Sequence, residues 1–160
     1  MIEENETLFS RILVPVDGSD LSNDAFEQAL SLAKLVDGTV TVLHVIEQLY
    51  SDYSVFEGQE MISASTLIET ETKEHVQNFL SEYSRKGKEA DVPVKTLIKE
   101  GPVAHEIIDL SKRFDLIIIG THGRRMIASL IMGSVAERVS RHAYCPVMLI
   151  REINDPDMEK

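Results

Sequence analysis

The sequence predicts an α/β fold, an open parallel sheet of five strands with helices packed on both faces. Three observations carry this expectation. Short runs rich in β-branched residues recur along the chain, and each is apolar on both faces, as a strand sandwiched between two helical layers must be. The segments between them place apolar residues at helical spacing. The 160 residues, 43% hydrophobic and 27% charged, suit one folding unit whose core needs no disulfide or metal staple.

Arg11 to Val16, R-I-L-V-P-V, reads as the first strand, and Asp17-Gly18-Ser19-Asp20 breaks it. Ser19 or Asp20 is positioned to cap a helix from Leu21 to Val36, with Ala25, Ala29, Leu32, Ala33 and Val36 recurring on one face and Asp37-Gly38 as its stop. Thr39 to Ile46 is the second strand. Glu47 to Ala64 has no clear period and reads as a long irregular connection. From Ser65 to Lys88 the pattern is an amphipathic helix ending near Gly87, and Val92 to Ile98 alternates as a third strand. Gly101-Pro102 opens a helix with Val103, Ile107, Ile108 and Leu110 inward, and Asp115 to Ile119 is the fourth strand. A glycine-marked loop from Gly120 to Gly133, a helix from Ser134 to His142 and a fifth strand from Pro146 to Ile150 complete the domain, expected over residues 11–152. Residues 1–10 and 153–160 read as loose tails.

Composition narrows the function. Cys145 is the only cysteine, so no internal disulfide or cysteine-ligated cluster can form, which suits a reducing cytoplasm. No run approaches the ~20 apolar residues of a membrane span, and the acidic start, Met1 to Glu6, is unlike a signal peptide. A net charge of -11 repels polyphosphate backbones, so nucleic-acid binding is not expected. The charge is uneven: residues 1–80 hold 3 basic and 15 acidic side chains, residues 81–160 hold 13 and 12. A small anion is therefore better received by the second half.

That half carries the most specific motif. Gly120-Thr121-His122-Gly123 and, nine residues on, Gly133-Ser134 give the spacing G-x2-G-x9-G-S directly after a buried strand. Glycines let backbone amides approach an anion, and Gly133-Ser134 opens a helix whose unpaired amides and dipole attract phosphate. In open α/β sheets ligands bind beyond the carboxyl ends of the strands, where the strand order reverses. An acid there, Asp17, can accept hydrogen bonds from ligand hydroxyls.

Together with Pro15-Val16-Asp17-Gly18-Ser19 and Cys145-Pro146-Val147, this motif resembles the universal stress proteins over about residues 10 to 151. The resemblance implies a Rossmann-like, flavodoxin-related domain of strand order 3-2-1-4-5, and the subgroup with this glycine spacing binds ATP. It implies that Gly120, Gly123, Gly133, Ser134 and Val135 hold ribose and phosphates and that Asp17 and Pro15 line the nucleoside pocket. Val45, in the L-H-V pattern, would meet adenine through its backbone, with Ile119 packed beside it. ATP, or AMP or ADP, is the implied cofactor, with Mg²⁺ held through the phosphates and no dedicated metal cage. The apolar last strand, at a sheet edge in that order, implies a homodimer.

The leading expectation is a nucleotide-dependent stress-response or signalling module with little or no turnover, since no G-x4-G-K-[S/T] and no oriented nucleophile occur. A slow nucleotide hydrolase using Asp17 and His122 is the alternative. A phosphorelay receiver shares the fold class but lacks its acidic cluster and phosphoacceptor. His44, His75 and His142 are expected as a hydrogen-bonded core residue and two helix-surface residues, and Cys145 as a small buried hydrophobe. Arg124 and Arg125 are equally placed to screen phosphate or to be solvated, and Met126, Ile127, Leu130, Ile131 and Met132 read as packing or an interface.

Overall fold

The computed structural model describes residues 8–47, 61–123 and 132–152, with 61–72 as helix backbone. Most of both expected tails, most of the connection after the second strand, Arg124, Arg125 and most of the Met126 to Met132 cluster lie outside the described residues.

Five strands, β1 (Arg11–Pro15), β2 (Thr39–Ile46), β3 (Val94–Glu100), β4 (Leu116–Gly120) and β5 (Val147–Ile150), form one sheet of order β3-β2-β1-β4-β5. Every pair in it is parallel. The helices are α1 (Asp20–Val36), α2 (Met61–Ala90), α3 (Val103–Leu110) and α4 (Ser134–His142), with a 3₁₀ turn at Ser111–Arg113. The expected α/β architecture and strand order are therefore the ones observed.

Strand periodicity divides the core. Ile12, Val14, Val16, Val40, Val42, Leu116 and Ile118 face α1 and α2, packing on Phe26, Ala29, Leu80 and Tyr83. Their neighbours Leu13, Leu43, Ile117 and Ile119 face α3 and α4, packing on Ile107, Leu110 and Val139. Burial on both faces is what confines these strands to apolar residues.

Local chemistry sets the ends of α1. The Ser19 hydroxyl accepts from the Ser22 amide at 3.3 Å, and Asp37 stops the helix in a left-handed turn of φ 54°. Other boundaries differ from the expected ones. The second helix begins at Met61, so the end of the expected connection is helical, and it runs through Gly87 to Ala90. Gly87 serves contact: a Cβ there would overlap the Val94 side chain and stand 3.1 Å from the Val92 carbonyl. The third strand lies two residues later than expected, because Pro93 has no amide for the ladder and Lys99 and Glu100 pair with Val45 and Ile46. Asp115 and Pro146 sit just outside β4 and β5. Cys145 is half-buried rather than buried. No helix among the described residues is long and apolar enough to cross a membrane.

Candidate functional site

Because β1, β2 and β3 build outward on one side and β4 and β5 on the other, the strand order reverses between β1 and β4. A cleft of about 500 Å³ opens at their carboxyl ends. Pro15, Asp17, Val45, Ile119, Gly120, Gly123, Gly133, Ser134 and Val135, all nine of the residues singled out in the sequence, line it. Gly101 and Pro102, which precede α3, are not among the residues that line it.

The turn after β1 brings in the acid. Gly18 takes φ 79°, and the Asp17 Oδ1 accepts from the Ser19 amide at 3.0 Å, a side-chain-closed turn that presents the second oxygen, Oδ2, across the cleft. That oxygen occupies the place a Cβ on Gly123 would need. Asp17 thus has the loop role its residue type favours and still faces the glycine motif. The turn is held to the sheet by the Val16 amide, which donates to the Leu43 carbonyl at 2.8 Å.

The opposite wall is the motif itself. Gly133 donates its amide to the Thr121 carbonyl at 2.7 Å, so the two ends of the loop after β4 meet, and Thr121 in turn donates to the Ile150 carbonyl at 2.8 Å. A side chain on Gly133 would press on that carbonyl, at 3.1 Å, and on the His122 backbone. Among the described residues no side chain caps α4, whose first turn opens into the cleft at Ser134 and Val135. The helix dipole and first-turn amides make this end electropositive, while Asp17 and Glu47 make the other side acidic.

Several lining residues were not identified as such from sequence. Val103 and Ile107 of α3 form an apolar flank, and they read only as core because their spacing is that of any buried helix face. Ser22, His44 and Glu47 also line the cleft. His122, which the hydrolase alternative puts in this pocket, does line it, its Nδ1 lying 3.3 Å from the Thr121 hydroxyl. His75 and His142 are exposed on their helices, as expected. Among the described residues no three or more His, Cys, Asp or Glu side chains are grouped to hold a metal ion.

Fold and cleft define a doubly wound α/β domain with a glycine-lined cleft at its switch point. The chain belongs to the universal stress protein family, whose model matches residues 8–151. It is similar to a universal stress protein of Methanocaldococcus jannaschii, 34% identical over 154 residues that cover 95% of this chain and 88% of that protein. Among solved structures it is similar to the universal stress protein UspA of Lactobacillus plantarum, with a TM-score of 0.74 and 28% identity over 89% of this chain and 98% of that one. The same fold is seen in a family protein of Arabidopsis thaliana with AMP bound, at a TM-score of 0.60 and 22% identity over 94% and 95% of the two chains.

Proposed function

We propose that this universal stress protein binds ATP, or another adenine nucleotide, in the cleft and acts as a nucleotide-dependent stress-response or signalling module with little or no turnover. The observation that carries the reading is the approach of the Asp17 carboxylate to the Cβ-less Gly123, in the same cleft into which the first turn of α4 opens at Ser134 and Val135. The carboxylate can accept from ribose hydroxyls, and the first-turn amides of α4 can receive the phosphates.

Gly120, Gly123, Gly133, Ser134 and Val135 would hold ribose and phosphates, and Asp17 would accept from ribose hydroxyls. Pro15, Val45 and Ile119 would wall the base, together with Val103 and Ile107. The polarity of the cleft gives the nucleotide a direction, phosphates toward α4 and sugar toward Asp17. Mg²⁺ would be carried by phosphate oxygens and water. The AMP held by the Arabidopsis protein supports an adenine nucleotide as the ligand class.

The test is calorimetric titration of nucleotide-stripped protein with Mg·ATP beside Gly123→Val. Heat in the micromolar range from the parent alone supports the reading, and no heat from the parent removes it. A hydrolase in the same pocket is favoured only by the presence of His122 in the cleft. Its mark would be steady ADP release abolished by His122→Ala with binding retained.

β5 lies at the sheet edge, with Met148 exposed, and pairing of this strand with its copy in a second chain is the homodimer we propose. A monomeric mass by light scattering at micromolar concentration contradicts it. The lone, half-buried thiol suits a cytoplasmic setting.

A further inference from the structure

His44 sits on β2 beside the residue expected to meet the base, yet its ring points to the other face of the sheet. There its Nδ1 lies 2.8 Å from the Val16 carbonyl oxygen, 28 residues earlier in the chain. A carbonyl only accepts, so Nδ1 carries the proton and donates. The Val16 residue is thereby clamped twice to β2, by its own amide to the Leu43 carbonyl and by its carbonyl to the His44 ring. Val16 is the last residue before the Asp17 turn, so this clamp sets where the Asp17 carboxylate stands against Gly123.

The ring is itself held. It meets Phe79 of α2 edge to face, with centroids 5.7 Å apart and planes at 74°. Phe79 meets Tyr83 at 5.2 Å, Tyr83 meets Phe26 of α1 at 4.8 Å, and the Tyr83 hydroxyl donates to the Asn23 side chain at 2.7 Å. Counted from Val16, which leads into the Asp17 turn, the chain of contacts passes through His44 of β2 and ends on α1, the helix leading out of that turn. A donor locked in one rotamer by aromatic packing fixes its acceptor far better than a mobile one.

We infer that His44 is a positioning residue of the nucleotide cleft: it holds the Val16 carbonyl and through it the Asp17 turn, while Phe79 holds its ring. This rests on the nucleotide reading for its ligand but makes a separate claim about the turn. The role requires a donor at the Nδ1 position and no proton transfer. An asparagine amide reaches the same position, whereas leucine keeps the bulk against Phe79 and supplies no donor.

Two measurements on the parent, His44→Leu and His44→Asn decide it. In unliganded protein, hydrogen exchange of the Ser19 amide, which donates to Asp17, should quicken about tenfold in His44→Leu, the weight of one buried hydrogen bond. Calorimetry with Mg·ATP should show affinity about tenfold weaker in the same variant. His44→Asn should restore both to within about threefold of the parent. Should His44→Leu fail to fold, Phe79→Leu loosens the ring instead, and Ser19 exchange should quicken about threefold. Exchange unchanged in whichever of these variants folds, or an asparagine variant as impaired as the leucine one, overturns the inference. If the parent gives no heat, the nucleotide reading falls, and the exchange comparison still decides the clamp.

Discussion

The glycines at the two ends of the sheet are used in opposite ways. At the amino ends of the strands they admit other parts of the protein: a Cβ on Gly87 would overlap the Val94 side chain, and one on Gly38 would stand 2.8 Å from the Ser10 carbonyl. That end is sealed. Arg11, which starts β1, donates to Asp115 from its backbone amide and from its guanidinium, at 3.0, 3.2 and 2.6 Å, and the Ser10 hydroxyl adds a fourth bond at 3.2 Å. At the carboxyl ends, Gly123 and Gly133 instead line an open cleft, facing the Asp17 carboxylate and the Thr121 carbonyl, while Gly120 lines it with its own Cβ position packed 3.0 Å from the Leu21 side chain of α1. The same residue type closes one end of the sheet and keeps the other open. Substitutions at the first end should cost stability and spare binding, and substitution of Gly123 at the second should do the reverse.

The largest effect is expected at Gly123. Valine there must displace the Asp17 carboxylate, which removes the proposed ribose acceptor and narrows the cleft in front of α4 together. Affinity for Mg·ATP should fall at least ~100-fold, equivalent to about 2.7 kcal/mol. Because Gly123 is half-exposed and outside both hydrophobic clusters, the melting temperature of unliganded protein should move little. A calorimetric and thermal comparison checks both halves of this, and a variant that binds normally would break the contrast at its open end.

Gly87→Ala tests the sealed end. Inside an exposed helix this change should stabilise by about 1 kcal/mol. Here the new methyl would meet the Val94 Cβ at 2.8 Å and the Val92 carbonyl at 3.1 Å. Overpacking typically costs ~1–3 kcal/mol, so against that gain a net destabilisation of up to about 2 kcal/mol in urea unfolding is expected, with nucleotide affinity unchanged. A more stable variant would show that β3 can slide away from α2.

These two glycines also show what was legible in the sequence. Gly123 was readable because three glycines at fixed spacing after a buried strand point to one place, whatever the rest of the chain does. Gly87 was misread as a helix stop because its reason lies in β3, whose approach no helical period encodes. The beginning of α2 at Met61 was missed for want of a capping residue and a steady period, and the start of β3 because Val92 keeps the strand alternation while Pro93 cannot join the ladder. His44 was expected as a hydrogen-bonded core residue and is hydrogen-bonded and part-buried, but the sequence could not name its partner. Its partner is a backbone carbonyl 28 residues away, and backbone partners leave no mark on side-chain pattern.

Asp115→Asn should cost about 1 kcal/mol, a modest figure because the Arg11 side chain it serves is 60% exposed and solvent already screens the pair. The Arg11 hydrogen bonds, opposed by partial burial, lower the Asp115 carboxyl below its ordinary value. A carboxylate whose folded value is depressed adds stability that is present above the unfolded value, near ~3.9, and lost as pH falls through the folded one. The parent should therefore lose stability more steeply than the asparagine variant over that acid range. Urea midpoints measured from pH 6 downward give the comparison, and parallel curves would show the latch to be thermodynamically idle.

The smallest effect joins the latch to the only thiol. Cys145 precedes β5 at the sealed end, and burial, followed by the negative charge of Asp115, raises its thiol above the ordinary value, a bond with Ile117 opposing. Only the thiolate is nucleophilic, so alkylation by iodoacetamide near pH 8 should be slower in native protein than in urea-unfolded chain at the same pH. Asp115→Asn removes the lesser of the two causes and leaves the greater. The native rate should then rise about two- to threefold and stay well below the unfolded rate, since desolvation outranks a charge that is itself paired with Arg11. A rise to the unfolded rate would mean that the substitution had opened the seal, and the two ends of the sheet would then differ less than their glycines imply.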